Sequence, residues 1–207
     1  KKKPLKLLIC GNTFVSGEHG IFIKDNQEKK TILKELAKAI LHYTKSDTIL
    51  KNDVNFFLLK DFVNESLQIT NALKDYNYSP FLVEPNMLLK INKKWQNFDD
   101  YLAAVKTKFR VKTKKALQLS ACLDINTVSP DNIKQLLPEI TTLYKKVSSK
   151  ADFNLSDFNP KTYIDFKEKL GEDYILKTYS LDDKVVGFMS GIIKNNSLDE
   201  HFVGIDY

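Results

Sequence analysis

Two groups of proton-transferring side chains stand out in this chain. Near its end, Asp199, Glu200, His201, Asp206 and Tyr207 fall in a strand-like run from Leu198 to Tyr207. Carboxylates, imidazole and phenol can each take or return a proton during a group transfer. Strand geometry places Glu200, Phe202, Gly204 and Asp206 on one face and His201, Val203, Ile205 and Tyr207 on the other. The plain alternative is that Asp199, Glu200 and Asp206 are edge charges that discourage aggregation. Gly204 permits a bulge or a close ligand approach, or is a packing glycine. Near the start, Glu18 and His19 stand between Gly17 and Gly20. A histidine on such a turn can reach a substrate and pass it a proton, or it caps the turn. His42 suits a helix C-terminus.

Other chemistries find less support. No Ser, His and Asp arrangement suggests a hydrolase triad. Neither Cys10 nor Cys122 has a second Cys or His at metal-ligand spacing, so no metal site is expected. Both are expected to be buried thiols, which fits a reducing, cytoplasmic compartment. The 207 residues carry a net charge of +6, which allows an anionic partner without selecting one. The apolar runs are far too short to span a bilayer, so no stable membrane insertion is expected.

The elements that must position these groups follow from periodicity and turn signals. Strands are predicted at Leu5 to Cys10, Thr13 to Val15, Val54 to Leu59, Pro80 to Glu84 and Met87 to Ile91. Helices are predicted from Glu28 to Tyr43 and from Asn64 to Tyr76. A long helix from Phe98 to Leu119 carries Phe98, Leu102, Val105, Phe109 and Ala116 in one stripe. Its six cations, Lys106, Lys108, Arg110, Lys112, Lys114 and Lys115, avoid that stripe. A solvated face is the plain reading and a nucleic-acid surface the functional one.

After a strand from Leu123 to Val128, Ser129-Pro130-Asp131 opens a helix that buries Ile133, Leu136, Leu137, Ile140, Leu143, Tyr144 and Val147, with a kink expected at Pro138. A loop rich in Asp and Asn leads to a helix from Pro160 to Leu170, closed by Gly171. A hairpin follows, from Tyr174 to Ser180 and Lys184 to Ile193 around Leu181-Asp182-Asp183. The final strand has no turn or polar tail after it, and the architecture is expected to continue past Tyr207. All seven glycines lie at residues 11 to 20 or 171 to 204.

The order strand, helix, helix, strand, strand, strand from Leu123 onward, with the tight hairpin Leu181-Asp182-Asp183-Lys184-Val185-Val186-Gly187-Phe188, resembles the first half of a GNAT-fold acyltransferase. Phe98-Asp99-Asp100-Tyr101-Leu102, Lys108-Phe109-Arg110, Lys114-Lys115-Ala116-Leu117 and the closing His201-Phe202-Val203-Gly204-Ile205-Asp206-Tyr207 look like the group related to Fem-type peptidoglycan aminoacyl transferases, built of two GNAT-like halves. The resemblance implies an α/β (α+β) fold with a mixed sheet flanked by helices. It implies halves at 1–96 and 123–207 joined by a basic helix at 97–122. The second half stops before the loop that cradles the coenzyme A pyrophosphate in the family.

The function so implied is N-acyl or aminoacyl transfer from a coenzyme A thioester, or from aminoacyl-tRNA, to an amine on a small molecule or cell-wall precursor. Glu200 is the first candidate base and His201 the second. The last strand, through Phe202 and Val203, supplies backbone contacts to the acyl donor. Glu18, His19, Gly204, Asp206 and Tyr207 are candidate substrate-binding residues. The alternatives are a non-catalytic binding module on an acyltransferase scaffold and an RNA-associated protein that uses the basic helix.

Overall fold

The computed structural model describes residues 5–83, 86–151, 154 and 158–207. They form an α/β protein of two compact units, Lys1–Met87 and Leu88–Tyr207.

In the first unit, β1 (Leu7–Cys10) and β2 (Phe56–Leu59) pair in parallel, with Leu7 opposite Phe56 and Cys10 opposite Leu59. A parallel pair needs a crossover, and α1 (Lys29–Ser46) followed by α2 (Leu50–Asp53) supplies it. The Glu28 carboxylate caps α1 by accepting from the N–H groups of Lys30 and Thr31, and hydrogen bonds from the Thr31 side chain and then its N–H hold the carboxyl below the usual range. Leu33 and Ala37 of α1 and Leu73 form the buried core, with Leu36, Leu59 and Phe62 packed around it. Thr44, buried on the same helix, donates its hydroxyl to the Ile40 carbonyl at 2.7 Å.

Three expectations for the chain up to Ile91 are corrected. Thr13 to Val15 form a turn and not a strand, because the Asn12 side chain accepts from the N–H groups of Phe14 (2.8 Å) and Val15 (3.2 Å). The predicted helix from Asn64 to Tyr76 is divided into a 3₁₀ turn (Asn64–Ser66), α3 (Leu67–Thr70) and a second 3₁₀ stretch (Asn71–Tyr76), stopped by Asn77 at φ 62°. Residues 80–83 and 87–91 join no ladder, and their side chains are exposed. Glu84 and Pro85 lie outside the described residues.

In the second unit the predicted long helix is two helices, α4 (Phe98–Ala104) and α5 (Thr107–Leu119). Val105 and Lys106 between them are extended, with ψ 147° and 141°. Val105 and Thr107 are β-branched and weak helix formers, and Arg110 caps the break by donating to the Ala103 carbonyl at 3.5 Å and to the Thr107 hydroxyl at 3.2 Å. Asn97 caps the start of α4.

A four-stranded antiparallel sheet follows, ordered β3 (Asp124–Thr127), β4 (Tyr174–Leu181), β5 (Lys184–Lys194) and β6 (Ser197–Ile205). Between β3 and β4 run α6 (Pro130–Ser148) and α7 (Thr162–Leu170). Ser129 caps α6 through the Asn132 N–H, and the helix continues as one element across Pro138. The predicted Asp- and Asn-rich loop before α7 lies partly outside the described residues.

Both hairpin turns take two residues at positive φ, Asp182 (48°) with Asp183 (61°) and Asn195 (51°) with Asn196 (60°). That is the type I′ signature, for which Asp and Asn are suited. Gly171, at φ 56°, ends α7 by donating to the Lys167 carbonyl. The core joins Ile133, Ile140 and Leu143 of α6 to Tyr163 of α7 and Tyr174, Leu176 and Phe188 of the sheet.

Gly204 fixes how closely α6 approaches β6. A Cβ there would stand 2.7 Å from the Leu143 Cβ and closer still to the Phe188 ring. Gly204→Ala should therefore cost about 1–3 kcal/mol through overpacking. Urea unfolding followed by far-UV circular dichroism measures it, and an unchanged midpoint would remove Gly204 as the spacer.

Candidate functional site

The end of β6 is shaped by one polar residue of β5. Met189 pairs with Val203 and Gly191 with Glu200, so Ser190 alone faces the two residues His201 and Phe202, a β-bulge. Ser190 is completely buried. Its hydroxyl donates to the Phe202 carbonyl and accepts from the Phe202 N–H, each at 3.1 Å. The phenols of Tyr163 and Tyr174 lie beside it, and burial pushes both well above the usual tyrosine range. Neither hydroxyl makes a hydrogen bond of good geometry among the described residues.

The bulge overturns the predicted alternation. Phe202 and Gly204 face the helices, Phe202 against Tyr144 and Phe158, and His201 joins them between Phe158 and Phe166. Glu200, opposite Gly191, moves to the other face with Met189 and Val203 and is exposed. Glu200 and Phe202 therefore do not share a face. The two candidate bases point to opposite sides of the sheet.

His201 is held in an apolar place. Its ring centroid is 4.1 Å from that of Phe202 and 5.7 Å from those of Phe158 and Phe166, and both ring nitrogens are shielded from solvent. Desolvation pushes its pKa down to about 4, so the ring is neutral near pH 7. Asp206 forms ion pairs with Lys146 of α6 and with Lys184 of β5, the latter at 2.7 Å. Hydrogen bonds from Lys146, then Lys184, hold its carboxyl down at about 2. Tyr207 lies under the Lys150 ammonium, 3.0 Å from its ring centroid.

The backbone of β6 also has two sides. Phe202 and Asp206 direct their N–H groups toward β5, to Ser190 and to the Val186 carbonyl. Strand alternation then turns the N–H and C=O groups of Val203 and Ile205 to the outer edge, where β6 is the last strand of the sheet. Phe202 is thus occupied within the sheet, whereas Val203 presents backbone groups outward. Gly204 faces α6 as a packing glycine and not toward a ligand on the outer face.

The glycine-flanked pair in the first unit is tied to its own chain. Glu18 accepts from the Val63 N–H at 2.9 Å and from the Ser66 hydroxyl at 3.0 Å, capping the 3₁₀ turn at Asn64–Ser66. The His19 Nε2 lies 3.2 Å from the Ser16 carbonyl. Gly20 packs on β1, where a Cβ would stand 2.7 Å from the Cys10 carbonyl oxygen. Glu18, Lys29, Leu33, Phe62 and Ile69 line a cavity of about 180 Å³ beside this loop. Cys10 is half-buried, with its thiol pKa raised by burial, but Cys122 is exposed, contrary to expectation. Among the described residues, no group of three His, Cys, Asp or Glu could hold a metal, and no helix is long and apolar enough to cross a membrane.

Sequence reasoning missed Ser190, Lys146, Lys150 and Lys184. The signal for Ser190 was present, a single polar residue at an inward position in the apolar Val185 to Ile193 run. The lysines are brought to Asp206 and Tyr207 only by tertiary structure.

No family model matches the chain, and no curated protein matches it. Its fold is similar to solved structures only at a distance. An aminoglycoside acetyltransferase from an uncultured soil metagenomic sample, in complex with sisomicin, aligns with TM-score 0.31 and 13% identity over 42% of this chain and 59% of that one. The same enzyme in complex with trehalose gives TM-score 0.31 and 13% identity over 42% of this chain and 57% of its own. A GNAT-family acetyltransferase from Streptococcus pneumoniae gives TM-score 0.27 and 16% identity over 40% and 54%. The matched region thus spans between half and three fifths of these proteins. Such likeness fixes neither substrate nor cofactor.

Two pH windows should separate the two titrating groups. A His201 whose folded pKa is depressed favours folding fully above the unfolded value of about 6.5 and loses that contribution as pH falls toward 4. Asp206 contributes above about 3.8 and loses its contribution as pH falls toward 2. His201→Phe should flatten the urea midpoint between pH 6.5 and 4, and Asp206→Asn only below 4; a wild-type midpoint that is flat between pH 6.5 and 4 would remove the desolvated neutral imidazole. Ser190→Ala should cost about 1–3 kcal/mol by stranding the Phe202 amide. Faster hydrogen exchange at Phe202 would show it, and unchanged exchange would refute the double hydrogen bond.

Proposed function

We propose that the second unit performs N-acyl transfer at the outer face and open edge of β6. The observation that carries this is the bulge at Ser190. It leaves Glu200 exposed on the face opposite α6 and α7 while the backbone groups of Val203 and Ile205 point to the adjacent edge.

Those edge groups suit an extended donor arm that carries amides, since such a chain can add along a strand as a peptide does. The phosphate end of coenzyme A is less well provided for. Lys146 and Lys184 are already neutralised by Asp206, and Lys150 lies over Tyr207. A bound thioester would supply an activated acyl carbonyl and a thiolate leaving group. Glu200 takes the proton from the attacking ammonium, Met189 and Val203 offer an apolar floor that disfavours water, and the β6 edge orients the acyl group. His201, half-buried and neutral on the helix side of the strand, supports the bulge rather than exchanging protons with substrate. The two free cysteines suit a reducing, cytoplasmic setting. The acceptor class is a small amine.

Glu200→Gln should lower turnover by about 10²- to 10⁴-fold with little change in KM, measured as thiol release from acyl-coenzyme A in the presence of an amine panel. Unchanged turnover would remove Glu200 as the base. A second reading, a non-catalytic binding module, is favoured by the pairing of β6 with β5 on both sides of the bulge, from Ser197 to Glu200 and from Val203 to Ile205. In that case thermal shift with coenzyme A thioesters persists while no amine is acylated.

A further inference from the structure

Helix α5 carries a surface that the acyl-transfer reading does not use. Lys106, Lys108, Arg110, Lys112, Lys114 and Lys115 put six positive charges at its start and along it, and no Asp or Glu occurs between Asp100 and Asp124. None of the six cations forms an ion pair among the described residues. No side chain of α5 is buried. Phe109 is 53% and Leu117 48% exposed, and Val111 and Leu119 are exposed as well.

Helical spacing sets Phe109, Thr113, Ala116 and Leu117 in one stripe, bordered by Lys112 on one side and by Arg110 and Lys114 on the other. The chain before α4 has the same composition. Leu88, Leu89 and Ile91 are exposed there, interspersed with Lys90, Lys93 and Lys94.

We propose that α5 docks flat on an anionic bilayer surface. The choice between polyanions rests on the apolar stripe. Nucleic acid would neutralise the lysines but leave Phe109 and Leu117 in water. An interface of acidic lipid headgroups takes both, with the aromatic and aliphatic groups among the upper acyl chains and the lysine stems reaching outward to the phosphates. Helix α5 is peripheral in this role and inserts no span.

Co-flotation of the full chain with vesicles tests this. The chain should bind vesicles of phosphatidylcholine and phosphatidylglycerol at 7:3 and not phosphatidylcholine alone. The triple variant Lys112→Gln, Lys114→Gln, Lys115→Gln should bind roughly a hundredfold more weakly, at about fivefold per removed charge. Phe109→Ser with Leu117→Ser should lose at least about tenfold on vesicles yet keep any affinity for bulk tRNA. Circular dichroism melts confirm that the variants fold. If they do not, Phe109→Trp replaces them, and its emission must shift to the blue with anionic vesicles. Absence of binding to anionic vesicles overturns the proposal. So does vesicle binding indifferent to Phe109 and Leu117, or an unshifted Trp emission. Tighter binding to tRNA that abolishes vesicle binding would assign α5 to RNA.

Discussion

The double hydrogen bond between the Ser190 hydroxyl and the backbone of Phe202 decides what every later side chain of β6 can do. Without the bulge, strict alternation would put Glu200 on the helix side with Phe202. That side is packed with Tyr144, Phe158 and Phe166, and an ionised carboxylate there would be desolvated without a partner. The extra residue lets His201 and Phe202 both face inward and returns Glu200 to water. Ser190 meets its own cost of burial by bonding both backbone groups that the bulge would otherwise strand.

Charge is distributed in two different ways across the second unit. At the end of β6, Asp206 gathers Lys146 and Lys184 from separate elements and ties the strand to α6 and to the hairpin beside it. Along α5 the cations meet no carboxylate among the described residues. The first arrangement is a structural tie, partly shielded from solvent. The second is a field directed outward, sensitive to ionic strength, and so belongs to association and not to fold stability. Lys167 shows a third use, buried among its neighbours while its ammonium donates to the carbonyls of Gly171 (3.2 Å) and Tyr174 (3.0 Å).

Much of the architecture was legible wherever a local cause fixes the backbone. Ser129-Pro130, Gly171 and Asp182-Asp183 mark their helix start, helix stop and turn without help from the rest of the chain, and the strand and helix order from Leu123 onward stands as expected. What was not legible depended on competition or distance. Asn12 captures two N–H groups that a strand would need. Nothing in the apolar stripe from Phe98 to Ala116 announces the break at Val105, since no Gly or Pro stands there. The face of Glu200 depends on a residue ten positions earlier in the adjacent strand, and period-two counting cannot register an inserted residue. The side chains at Glu18 and His19 were legible as polar, but only the fold shows that Glu18 is consumed by capping Val63 and Ser66.

The two-residue turns at Asp182-Asp183 and Asn195-Asn196 bear on when the site comes into being. They join β4, β5 and β6 in a meander whose contacts are close in sequence, so little chain entropy opposes their closure. Strand β3 is separated from β4 by two helices and joins at a greater entropic cost. The bulge belongs wholly to the β5 and β6 hairpin. The register that turns Glu200 outward is therefore carried by contacts close in sequence, while the closure of β3 onto β4 leaves it untouched.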